Sequence, residues 1–125
     1  MTENELAKII VELCLKIHKI LGPGLLESVY EEVLCYELKK LGIRFKRQQG
    51  IPVIYESINM DLGFRADIII EDKLIIELKS SEGVDPVHYK RLLTYLRITN
   101  MKLGLMVNFN VELIKYGIKR VVNNL

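Results

Sequence analysis

A chain of 125 residues, half of them hydrophobic and 27% charged, is sized for one domain, residues 1–125, with a sizeable core. It contains no apolar run near the ~20 residues that span a bilayer, and its start, MTENELAKII, lacks a signal-peptide pattern, so a cytoplasmic protein without a targeting segment is expected. The net charge of +2 is uneven, because residues 86–125 carry seven basic groups and one acid, Glu112; that part could face a polyanion, and chance asymmetry on a solvated surface is the plain alternative.

Leu6, Ile9, Ile10, Leu13, Ile17 and Ile20 recur at helical spacing and predict a first helix, stopped by Gly22-Pro23-Gly24. Its apolar stripe can pack on a sheet or pair with a second subunit, and a homodimer is one expectation. A second helix runs from about Leu25 to Leu41 and stops near Gly42. Cys14 and Cys35 lie inside these patterns and read as buried, reduced thiols. Two separated cysteines and two distant histidines have no zinc-ligand spacing.

From Arg44 the period changes. Phe45 to Gln49, Ile51 to Glu56, Met60 to Ile70 and Leu74 to Ser80 read as strands separated by polar turns. A third helix follows over about Val84 to Thr99. Leu103 to Phe109 is a continuous apolar run, the mark of a buried strand, and a last strand covers Ile118 to Val122. The order α-α-β-β-β-β-α-β-β predicts an α/β (α+β) fold, a mixed sheet flanked by helices.

The segment Leu74 to Lys79 is the most informative. On a strand, Ile75, Glu77 and Lys79 share one face and Leu74, Ile76 and Leu78 the other. A carboxylate and an ammonium in so apolar a strand cost several kcal/mol unless paired or bound to something. A simple Glu77–Lys79 ion pair at the strand end is one reading. Asp67 suggests another. It interrupts the apolar strand Phe64 to Ile70, just before Glu71-Asp72-Lys73. If those three residues form the hairpin loop, Asp67 lies opposite Glu77 on the same face; a two-residue loop would separate them. Two adjacent carboxylates repel unless a cation lies between them, and oxygen ligands suit Mg²⁺ or Mn²⁺.

Glu27 supplies a third acid, in line with Tyr30, Leu34, Leu38 and Leu41 on the inward stripe of the second helix. An acid favouring the positive end of the helix dipole is the alternative. Glu31, one turn on, is expected to be solvated. On the third helix His88, Arg91 and Tyr95 share a stripe beside Leu92, and Arg91 could contact a phosphate. Lys90 and Arg97 point towards solvent, either as backbone contacts for nucleic acid or as an ordinary exposed face. His88 reads as a structural edge histidine.

Gly24-Leu25-Leu26-Glu27-Ser28-Val29-Tyr30 resembles the signature of the GxxExxY proteins, a branch of the PD-(D/E)xK nuclease-like superfamily. Arg65-Ala66-Asp67 followed by Ile76-Glu77-Leu78-Lys79 resembles the D…ExK core of that superfamily. The segments Leu92 to Leu96 and Gly104 to Phe109 extend the resemblance over about Leu21 to Phe109. It implies a restriction-endonuclease-like core in which Asp67 and Glu77 bind the metal with the Leu78 carbonyl. Lys79 would orient or activate the attacking water, and Glu27 would complete the metal shell or hold a metal-bound water. The chain departs from the family at Arg91, where Gln is common; a guanidinium can hold a phosphate but cannot ligate metal or accept a proton. A metal-dependent nuclease acting on nucleic acid, with DNA expected, follows from the resemblance. The alternatives are an inactive nuclease fold that binds nucleic acid or protein, and a structural or oligomerisation protein.

Overall fold

The computed structural model describes every residue except 61, 62 and 64. Two helices, α1 (Glu3–Leu21) and α2 (Glu27–Lys40), precede five strands: β1 (Phe45–Gly50), β2 (Val53–Tyr55), β3 (Ile58–Met60), β4 (Arg65–Ile70) and β5 (Leu74–Lys79). Helix α3 (Pro86–Thr99), strand β6 (Leu103–Asn108), a 3₁₀ turn (Ile114–Tyr116) and strand β7 (Ile118–Val122) complete the chain. Helix α1 starts on a capping box: Glu5 N–H donates to Thr2 Oγ1 at 3.2 Å, and Thr2 N–H donates back to Glu5 Oε1 at 3.1 Å. It ends at Gly22, with φ 71°.

The main sheet is mixed, in the order β1-β4-β5-β6-β7, and β2-β3 form a separate hairpin. Its one parallel pair, β5 with β6, is joined by the α3 crossover. Alternation along β5 decides the layers. Leu74, Ile76 and Leu78 face the core under α1 and α2, with Ile68, Ile70, Leu103, Leu105 and Val107. Ile75 faces the second core under α3, with Ile69, Met106, Leu92, Tyr95 and Leu96. Helix α3 lies close on β6 because position 104 is glycine: a Cβ there would come within 3.0 Å of three side-chain carbons of Leu92.

Several expectations change. Of the strand read as Met60 to Ile70, Asp61, Leu62 and Phe64 lie outside the described residues; among the described ones its ends fall in β3 and β4, which belong to different sheets, giving α-α-β-β-β-β-β-α-β-β. Helix α2 starts at Glu27 rather than Leu25, and α3 at Pro86 rather than Val84, because Asp85 takes extended backbone and proline suits a first helical turn. Ile20 and Leu41, assigned to inward stripes, are exposed because each lies at its helix's C-terminal end, beyond the buried residues. The α1 stripe, Leu6, Ala7, Ile10, Leu13, Cys14 and Ile17, is buried in the core, so it no longer argues for a homodimer. Both cysteines are buried and free; burial pushes the Cys14 thiol up to about 12. Among the described residues, no helix is long and apolar enough to cross a membrane.

Candidate active site

The β4–β5 hairpin brings the first two acids together. Glu71 and Asp72 take left-handed backbone, φ 53° and 54°, and Lys73 N–H donates to Ile70 O at 2.9 Å. An Arg44–Glu71 ion pair at 2.9 Å holds the turn from outside. The three-residue loop pairs Ile70 with Leu74, Ile69 with Ile75 and Ile68 with Ile76. One step further the same register sets Asp67 opposite Glu77. There Asp67 replaces the ladder, and its Oδ2 accepts from Leu78 N–H at 2.8 Å. A strand residue directs its N–H and C=O to the same edge, so the Leu78 carbonyl also faces β4.

A cavity of about 150 Å³ opens here, lined by Glu27, Arg65, Asp67, Glu77, Leu78, Lys79, His88, Arg91, Leu92, Tyr95 and Met106. Glu77 Oε1 is buried in it without a hydrogen-bond partner. Burial first, then the Asp67 carboxylate, pushes the Glu77 carboxyl up to about 9; Lys79 draws it down by less. Among the described residues no ion pair joins Glu77 to Lys79. Burial and then Glu77 likewise push the Tyr95 hydroxyl up to about 12, against the pull of Arg91.

Glu27 reaches the cavity from another element. Tyr30, fully buried, donates from its hydroxyl to Gly22 O at 2.6 Å and accepts from Leu25 N–H at 3.2 Å. Its ring stacks on Phe109 at 4.1 Å, nearly parallel. Ser80 Oγ donates to Leu25 O at 2.5 Å. Gly24, at φ 94°, supplies a backbone conformation that other residues rarely adopt. The segment therefore holds the α2 N-terminus against the ends of β5 and β6. Glu27, the first residue of α2, is exposed rather than inward, although it lines the cavity. Among the described residues no three His, Cys, Asp or Glu side chains form a group able to hold a metal ion; Glu27 lies apart from the Asp67–Glu77 pair.

The remaining sequence candidates divide. Lys79, His88 and Arg91 line the cavity, whereas Lys90 and Arg97 are outside it and exposed. Glu31, expected to be solvated, is buried. It accepts from Arg47 at 2.9 Å and from Gln48 Nε2 at 2.6 Å, and those partners compensate its desolvation. Gln48 also donates to Asp67 Oδ1 at 3.3 Å. Gln48 carries no signal at the sequence level, since polar residues on an exposed edge strand are ordinary. Arg65, which lines the cavity, is visible in the sequence only as a neighbour of Asp67.

A profile of the PD-(D/E)XK nuclease superfamily matches residues 4–121. The chain belongs to this superfamily. No curated protein and no solved structure matches it. Three helices around a mixed five-stranded sheet agree with the PD-(D/E)XK core. The donor set suits the divalent ion expected in such a fold: two opposed carboxylates, one with an unpartnered buried oxygen, and a backbone carbonyl, all hard oxygens. Two protein carboxylates suffice for Mg²⁺, which keeps several of its waters.

Proposed function

We propose that this PD-(D/E)XK protein is a Mg²⁺- or Mn²⁺-dependent nuclease hydrolysing phosphodiester bonds in nucleic acid, with DNA as the expected substrate, and that it belongs to the GxxExxY branch. The observation that carries the reading is the Asp67–Glu77 pair: opposed carboxylates at the end of a buried hairpin, with Glu77 Oε1 left without a partner. Such a pair is costly to keep ionised without a cation.

Asp67, Glu77 and the Leu78 carbonyl would hold the ion, with Glu27 at the cavity mouth fixing a water of its shell. When bound, the ion supplies Lewis-acid polarisation of the scissile phosphate. Lys79 faces the same cavity as Glu77; its ammonium orients the attacking water and stabilises charge developing on the phosphate. Arg91 holds a phosphate oxygen, and Lys90, Arg97 and the basic C-terminal part add sequence-independent backbone contacts. The test is plasmid nicking by the purified protein with Mg²⁺ or Mn²⁺. Activity that disappears with chelator, and in Glu77→Ala and Lys79→Ala, supports the reading; equal activity in those variants refutes it.

A second reading, a nuclease fold that binds nucleic acid without cutting it, draws on Arg91 in the cavity where Gln is common in the family. Salt-sensitive binding that needs no divalent ion, without cleavage, would favour it.

A further inference from the structure

The ladder fails on both sides of Asp67. Towards β5 the pairing stops at Ile68↔Ile76. Towards β1, Arg47 pairs with Ile68 and Gln49 with Ala66, but Gln48, the residue between, does not pair with Asp67. Gln48 has φ 49°, an uncommon conformation for a residue with a side chain. Its amide bridges two carboxylates on different elements: Glu31 Oε1 of α2 at 2.6 Å and Asp67 Oδ1 of β4 at 3.3 Å. Both partners are acceptors, so the NH₂ and not the carbonyl must face them. Glu31 is itself fixed by Arg47, at 2.9 Å.

We propose that Gln48 is a positioning residue: its amide, anchored on the buried Glu31, fixes the Asp67 carboxylate in the orientation that faces Glu77, so that β1 sets the geometry of the ion-binding pair. The inference rests on the metal-site reading above. Asp67 then has one oxygen directed by Leu78 N–H and the other by Gln48, which leaves its carboxylate little freedom to rotate. Outer partners of this kind orient a ligand without touching the ion, and losing one typically weakens metal binding by about 10- to 100-fold.

The test separates the amide from the backbone. Gln48→Gly suits the left-handed conformation and removes the amide with both of its hydrogen bonds, to Glu31 and to Asp67. Gln48→Asn tolerates the same φ but carries its amide one methylene short. Mn²⁺ is titrated calorimetrically into the full chain as wild type, Gln48→Gly, Gln48→Asn and Asp67→Asn, and metal-free urea midpoints are measured alongside. Both Gln48 variants are expected to stay folded, with a urea midpoint lowered modestly by loss of the hydrogen bond to Glu31, and to bind Mn²⁺ about 10- to 100-fold more weakly, with Asp67→Asn weaker still. Binding by either folded Gln48 variant at the wild-type level, while Asp67→Asn loses it, overturns the role of Gln48 and leaves the metal site standing. A wild-type protein that binds no Mn²⁺ overturns the metal reading and this inference together.

Discussion

The substitution Glu77→Gln in the metal-free protein should stabilise the fold, and increasingly so as pH rises. Burial and the Asp67 carboxylate push the Glu77 carboxyl up to about 9, whereas in the unfolded chain it titrates near its ordinary value of about 4.3. Between those values the folded state holds a proton that the unfolded state has released. Wild-type stability is therefore full below the unfolded pKa and declines as pH rises towards the folded one, by about 1.4 kcal/mol per pH unit. A glutamine amide does not titrate, so the stability curve of the variant lacks this slope. From about pH 5 to about pH 7 the gap between variant and wild type should widen by about 3 kcal/mol. Urea unfolding in the presence of chelator at the two pH values measures it. A gap that does not change with pH would show that Glu77 is ionised and solvated in the folded protein, and nothing would then call for a cation at this position.

Lys79→Ala should cut Mn²⁺-dependent nicking by about 10²- to 10³-fold while calorimetric Mn²⁺ affinity stays near wild type; loss of affinity instead would make Lys79 a structural residue. Tyr30→Phe keeps the stack on Phe109 but orphans Gly22 O and Leu25 N–H, and should cost about 1–3 kcal/mol in urea unfolding, with faster hydrogen exchange at Leu25. Asp72→Gly relieves a left-handed residue at φ 54° and should raise stability by up to about 1 kcal/mol in the same assay, offset slightly by loss of the exposed Lys46 pair. Arg47→Ala leaves the buried Glu31 with Gln48 as its remaining partner from β1 and should lower the urea midpoint by the equivalent of about 1–2 kcal/mol, discounted for the half-exposed guanidinium.

The site is legible in the sequence where local alternation decides geometry. Glu77 and Lys79 share a face because a strand has period two, and the apolar character of Leu74 to Leu78 places that strand centrally. The opposition of Asp67 and Glu77 depends on the loop. Glu71 and Asp72 both carry left-handed φ without being glycine, so loop length stays open at the sequence level. Glu31 reads wrongly as solvated because its partners, Arg47 and Gln48, come from β1, and the helical pattern of α2 contains no trace of them. The spacing of Glu27 to Tyr30 points it inward, but a residue at a helix's first position lacks the preceding turn that would bury it. The apolar stripe of α1 is plain in the sequence, but what covers it is fixed by β5 and β6, far along the chain. Met60 to Ile70 reads as one strand because apolar residues continue on both sides of Gly63; Asp61 and Gly63 are the sequence signals that could have divided it.

Anomalous diffraction from crystals soaked in Mn²⁺ tests the central claim most directly. A single Mn²⁺ peak bridging the carboxylates of Asp67 and Glu77, beside the Leu78 carbonyl, is the predicted result. An empty cavity at saturating Mn²⁺, with no anomalous peak between Asp67 and Glu77, would contradict it.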